Sequence, residues 1–162
     1  YFKNFSKINN VYLLLGSIPI TENDKLFNRT ILINPDGDII SIYDKIHMFD
    51  ITLKNGESYK ESDFYSPGSE LKITKVLGHS VGHTICYDLR YPKLYRALAK
   101  KGSQIIVVPS AFTHATGKAH WHSLIKARAI ENGVFILAPN QWGINNEKRS
   151  TFLDIISLLS RL

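Results

Sequence analysis

The sequence predicts an α/β fold in which helices pack against a sheet. Two observations carry this. Short apolar runs such as Val81 to Ile85, Ile105 to Val108 and Val134 to Ala138 have the length of buried strands. Among them lie two segments of helical length, Pro92 to Lys101 and about Lys118 to Asn132, each followed by a glycine.

In chain order, Val11 to Leu15 is an apolar run closed by Gly16, as expected for a strand buried on both faces. Thr30 to Asn34 and Ile39 to Tyr43 flank the turn formers Pro35-Asp36-Gly37-Asp38, which predicts a β-hairpin. From Lys45 to Pro67 the apolar residues lose any period while Gly, Ser, Asp and Pro accumulate. That predicts a long irregular loop, and loops of this length inside compact domains are usually functional. Leu71 to Val76 and Val81 to Ile85 read as two strands, the second ending directly at Cys86. Pro92 then opens a helix that Gly102 stops, in the usual order of Pro first and Gly last. Ile105 to Val108 is another buried strand, a polar turn leads to the helix that Gly133 ends, and Val134 to Ala138 is the last strand. No internal repeat or low-complexity tract is evident.

With 162 residues, 44% hydrophobic and 21% charged, the chain is long enough for one domain with a packed core. The formal charge of +6 is spread along the sequence, with no basic block longer than two residues, which argues against a nucleic-acid partner. A single cysteine excludes an intramolecular disulfide, and no charged-then-apolar leader opens the chain, so a reducing cytoplasm is the expected location. No apolar stretch approaches the roughly twenty residues that cross a bilayer, so no membrane association is expected.

Cys86 carries the chemistry. It stands in Gly82-His83-Thr84-Ile85-Cys86-Tyr87-Asp88-Leu89-Arg90-Tyr91-Pro92, where an apolar strand turns into a helix. A side chain on such a turn is held rigidly and exposed, and the next backbone amides point at whatever the sulfur attacks. A lone cysteine is otherwise most often a small buried hydrophobe. The six histidines raise a metal reading, with His114, His120 and His122 close together. Residues two apart on a helix point in different directions, however, and no Cys or carboxylate cluster completes a site, so neither metal nor cofactor is expected.

Four further segments decide between these readings of Cys86. Tyr43-Asp44-Lys45-Ile46-His47-Met48-Phe49 resembles the lysine motif of nitrilase-like amidases, and the Cys86 segment resembles their cysteine motif. Pro109-Ser110-Ala111-Phe112, His120-Trp121 and Ala127-Arg128-Ala129-Ile130-Glu131-Asn132 resemble the block that follows. The resemblance is to the nitrilase superfamily of carbon-nitrogen hydrolases, in particular its Nit branch with omega-amidase and deaminated-glutathione amidase, and it covers nearly all of residues 11 to 149. Several long motifs in the right order are far more specific than one short pattern.

That resemblance implies a four-layer αββα sandwich, incomplete here at both ends, assembled as dimers or larger homo-oligomers and bearing a Glu-Lys-Cys site. It implies Cys86 as nucleophile and Lys45 as the cation beside it. Glu61 matches the second glutamate that orients the lysine or the substrate, with Glu57 as a nearby competitor. The Tyr87 backbone N–H would stabilise an oxyanion, and Ser110 would touch substrate. Arg90 would reach a substrate carboxylate, or else serve as a structural ion-pair partner at a helix start. The roles fit a small amide as substrate, since a poor electrophile needs a thiolate to attack it and positive charge where its oxygen becomes negative.

The pattern also breaks. Members of the superfamily place a general-base glutamate ahead of the Val11 strand, whereas Tyr1 to Asn10 contains no acid. The chain opens on Tyr1 rather than Met, and Thr151 to Leu162 does not resemble the family, which suggests a truncated or frame-shifted gene. The expected organisation is a partial hydrolase domain over 1–150 and an atypical tail over 151–162, its apolar residues at helical spacing. A smaller departure is His122, where relatives carry an acid. Two functions therefore compete: an amidase working through a cysteine thioester, and a catalytically inactive remnant that lacks its general base.

Overall fold

The computed structural model describes residues 1–52, 56, 58–141, 143–146 and 149–151. The chain divides into two compact units, Tyr1–Lys72 and Ile73–Leu162.

In the first unit a short helix, α1 (Phe2–Asn9), precedes β1 (Leu13–Glu22), β2 (Lys25–Ile33) and β3 (Ile39–Asp44), which form an antiparallel sheet in the order β1-β2-β3. The strand expected to stop at Gly16 instead runs on to Glu22, and it is half-buried rather than covered on both faces. Its position explains this. On the edge of a sheet a strand tolerates Gly16 and Pro19; the register slips between Leu15 and Ile18, around Gly16, while Pro19 stays paired opposite Asn28. Asn23 and Asp24, at φ 49° and 59°, close the β1-β2 hairpin with the left-handed pair that matches strand twist. The expected β2-β3 hairpin forms with Thr30 opposite Tyr43 and Leu32 opposite Ser41. Its turn requires glycine: Gly37 has φ 84°, and a Cβ there would lie 2.9 Å from the Lys3 carbonyl oxygen.

The segment from Lys45 to Pro67 is not the irregular loop its composition suggested. It contains β4 (Asp50–Thr52), paired antiparallel with β5 (Ser58–Lys60), and then a 3-10 turn over Glu61–Asp63. Three-residue strands are too short to show a period. An Asp50 carboxylate oxygen accepts the Ser62 N–H at 3.0 Å, which ties the ribbon to the turn; hydrogen bonding from Ser62 holds the Asp50 carboxyl below its ordinary value.

The second unit carries a four-stranded sheet in the order β6-β7-β8-β9, made of β6 (Ile73–Val76), β7 (His79–His83), β8 (Ile105–Val107) and β9 (Phe135–Leu137). β6 is antiparallel to β7, while β7, β8 and β9 run parallel, connected through α2 (Pro92–Lys100) and α3 (His114–Asn132). These are the helix-on-sheet crossovers the alternating pattern predicted. α3 begins a turn earlier than expected, because the Thr113 hydroxyl caps it by accepting the Thr116 N–H, and Gly133 ends it in left-handed conformation. The core is built from Ile85, Tyr95, Leu98, Ile106, Trp121, Ile125 and Ile136, all without solvent exposure. Gly82 on β7 has no side chain for a packing reason: a Cβ would meet Ser103 Oγ at 2.8 Å and both Leu98 and Ile106 at 3.3 Å. β9 is not the last strand, for β10 (Gly143–Asn146) and β11 (Arg149–Thr151) form a further antiparallel pair. The helix suggested for the tail falls on 152–162, outside the described residues, as does Glu57. Among the described residues no helix is long and apolar enough to cross a membrane.

Candidate active site

Within the first unit, Lys45 follows directly on β3 and is only 2% exposed. Backbone bonds fix it on both sides: its N–H donates to the Asn28 carbonyl at 2.9 Å, and its own carbonyl accepts the Gly68 N–H at 2.8 Å. Gly68 is irreplaceable by geometry, since a Cβ would sit 2.3 Å from the Asp44 carbonyl oxygen. A buried ammonium needs an anion, and Glu61 supplies it in an ion pair with the Lys45 ammonium. The same carboxylate accepts the Phe49 N–H at 2.7 Å and the Asn28 side-chain amide at 3.0 Å. The 3-10 turn thus brings Glu61 to Lys45 across sixteen residues of sequence. Asn28 gave no signal in the sequence, because one Asn on a strand is unremarkable.

Arg29 was also missed. Its guanidinium is buried between Asp44 (2.6 and 2.9 Å) and Glu22 (2.7 Å), and the hydrogen bond to Asp44, with Glu22 adding to it, raises its pKa above the ordinary value. This pairing locks β2 to the residue that precedes Lys45.

In the second unit Cys86 does not end the strand. β7 stops at His83, and Cys86 opens a 3-10 turn, Cys86–Arg90, at φ 47°. A left-handed backbone at a non-glycine residue is uncommon and stores strain that surrounding structure must hold. The holding groups are visible. The Cys86 N–H donates to the Pro109 carbonyl at 3.0 Å, and Thr84 N–H to Val107 at 3.1 Å. The fully buried Asp88 carboxylate reaches back to the Ile85 N–H at 2.9 Å. The Thr84 hydroxyl donates to the Val107 carbonyl at 2.8 Å, so the Tyr95 phenol, 2.9 Å away, donates to it; burial pushes that phenol far above its ordinary pKa. Cys86 itself is half-exposed, so the turn presents the thiol rather than burying it.

Ser110 lies on the extension of β8, where it bridges in parallel to Asn140 beyond β9. Cys86, Ser110 and Asn140 thereby occupy the carboxyl ends of three adjacent parallel strands, the edge at which open α/β sheets bind ligands. The Ser110 hydroxyl donates to the Val108 carbonyl at 3.0 Å, and Asn140 fixes the next loop by accepting the Phe112 N–H at 3.0 Å. Asn140 was not anticipated from sequence. Tyr87, next to the thiol, packs edge-on against Tyr91 with ring centroids 5.7 Å apart. Arg90 is half-buried, and the ion pair considered for it is not formed, since no carboxylate among the described residues is its partner. Its guanidinium lies 5.8 Å from the Tyr87 ring and 5.7 Å from the Phe112 ring.

The profile of the carbon-nitrogen hydrolase family matches residues 2–154 of the chain. A deaminated glutathione amidase of Yersinia enterocolitica is 42% identical over 146 residues, which are 88% of this chain and 51% of that protein. The crystal structure of the C. elegans NitFhit protein superposes with a TM-score of 0.87 at 34% identity, covering 93% of this chain and 38% of that one. Saccharomyces cerevisiae Nit3, described as a member of branch 10 of the nitrilase superfamily, superposes with a TM-score of 0.82 at 30% identity over 93% of this chain and 52% of its own. The chain spans about half the length of the curated relatives it matches.

Proposed function

The chain belongs to the carbon-nitrogen hydrolase family and has the α/β fold of the nitrilase superfamily; from that premise we propose that it hydrolyses a small amide bearing a carboxylate, through a thioester on Cys86. The observation that carries this reading is the chain's single cysteine, half-exposed and held in left-handed backbone at the head of a turn on the carboxyl edge of a parallel sheet.

The thiolate of Cys86 adds to the amide carbonyl carbon, and the carbonyl oxygen takes the negative charge. The Lys45 ammonium and the Tyr87 backbone N–H stabilise that oxyanion, with Glu61 orienting Lys45. Collapse of the tetrahedral species breaks the C–N bond, and ammonia leaves with the proton given up by the thiol. Water then attacks the thioester, releasing the carboxylic acid and restoring the thiol. Arg90, with no acid of its own among the described residues, takes the substrate carboxylate. Ser110 offers hydroxyl lone pairs at the same strand edge, since its proton is already donated to Val108. The deaminated glutathione amidase and an omega-amidase among the relatives support an amide as the substrate class. Homo-oligomeric assembly is part of the same proposal.

The test supplies the purified protein with succinamate and, separately, with butyramide, and measures ammonia. Turnover should favour the anionic amide by about tenfold or more, because a half-buried cation with no carboxylate partner among the described residues attracts the anion and not its neutral analogue. Hydroxylamine added during turnover should yield the hydroxamate of the acyl group, and acid quenching should leave that acyl group on Cys86. No ammonia from either amide, with no adduct on Cys86, overturns the proposal.

A further inference from the structure

We infer that His120 is a positioning residue for Arg90 and so a determinant of specificity for anionic substrates; this deepens, and rests on, the reading that Arg90 receives the substrate carboxylate. The Arg90 guanidinium lies 3.2 Å from His120 Nδ1. A guanidinium only donates, so Nδ1 is the acceptor and the imidazole proton sits on Nε2. The neutral ring therefore orients the arginine without cancelling its charge. A carboxylate in that place would satisfy the guanidinium and remove its attraction for substrate.

The ring beneath Arg90 is firmly packed, whereas His120 itself is exposed. Arg90 stands four residues after Cys86 on the same 3-10 turn, about 8 Å along its axis at roughly 2 Å per residue. That separation suits a ligand whose anionic end is a few bonds from the carbon that the thiol attacks. Phe112, under the guanidinium, is 4% exposed and packs edge-on against Trp121 with centroids 4.8 Å apart. Trp121 is fully buried on α3 and adjoins His120, so it anchors the ring beneath Arg90 and the helix backbone that carries the exposed histidine beside it. A long arginine side chain would otherwise distribute over many rotamers.

The experiment measures alkylation of Cys86 by 4-iodobutyrate and by 4-iodobutyramide, reagents of equal length that differ in charge, read as the mass of the Cys86 peptide. The ratio of the two rates isolates recognition of the anion from reactivity of the thiol and from any loss of folded protein. The ratio should favour the anion by about tenfold, the effect of one nearby opposite charge, and fall to near one in Arg90→Ala. His120→Ala should lower it by at least about threefold, while His120→Asn, whose amide oxygen replaces the Nδ1 acceptor, should retain it. If Arg90→Ala removes the preference and His120→Ala leaves it intact, the positioning role is overturned and the Arg90 reading stands. If the wild-type protein shows no preference for the anion, both fall together.

Discussion

Cys86→Ala is expected to reduce ammonia release to background, a loss of about 10⁴- to 10⁶-fold, the range found when an enzyme's covalent nucleophile is removed. The reason is chemical rather than structural. Without sulfur no thioester forms, and no other thiol exists in the chain to replace it. The folded state should be little affected. Cys86 is half-exposed, so the substitution empties no closed cavity, and alanine meets the same cost as cysteine at φ 47°. Urea unfolding should therefore give an unchanged midpoint in the variant. Turnover surviving in that variant would remove the nucleophile from the mechanism.

The second large effect concerns Glu61. Glu61→Ala should destabilise the protein by about 3–5 kcal/mol, because it leaves the ammonium of Lys45 buried without its anion. It also removes the carboxylate that accepts the Phe49 N–H and the Asn28 amide. The double variant Lys45→Met with Glu61→Leu should recover much of that stability, since an apolar pair of similar volume avoids the cost of burying two charges. Activity should not return with it. Paired measurement of urea unfolding and ammonia release thus separates what the ion pair does for the fold from what it does for the reaction. Equal stability of Glu61→Ala and wild type would contradict the burial argument.

How much of this was legible in the sequence depended on the range of each interaction. The second unit reads well because its elements announce themselves locally: apolar runs of strand length, Pro92 at a helix start, Gly133 at a helix end. The first unit reads less well. Gly16 and Pro19 look like terminators, and only the edge position of β1 makes them tolerable. The ribbon of β4 and β5 lies in a stretch whose composition says loop, because strands of three residues have no periodicity to detect. α1 escaped notice for a similar reason, being eight residues whose buried side chain is a serine. The strained backbone of Cys86 could be guessed from its place between strand and helix, but the 3-10 turn that produces it could not. The pairing of Lys45 with Glu61 followed from resemblance alone, since no local rule connects a residue after a hairpin to one sixteen positions on. Asn28, Asn140 and the Arg29 pairing with Asp44 and Glu22 depend on strand register, which only the folded chain reveals.

The claim at the centre of this account is that the ammonium of Lys45 stabilises the oxyanion formed when the Cys86 thiolate attacks an amide. Two reactions at the same sulfur separate that role from any other: acylation by an amide creates an oxyanion, whereas alkylation by iodoacetamide creates none. Comparing both rates in wild type and Lys45→Met, the account predicts that acylation slows by about 10²- to 10³-fold while alkylation changes by less than about threefold. Acylation proceeding at the wild-type rate in Lys45→Met would contradict it.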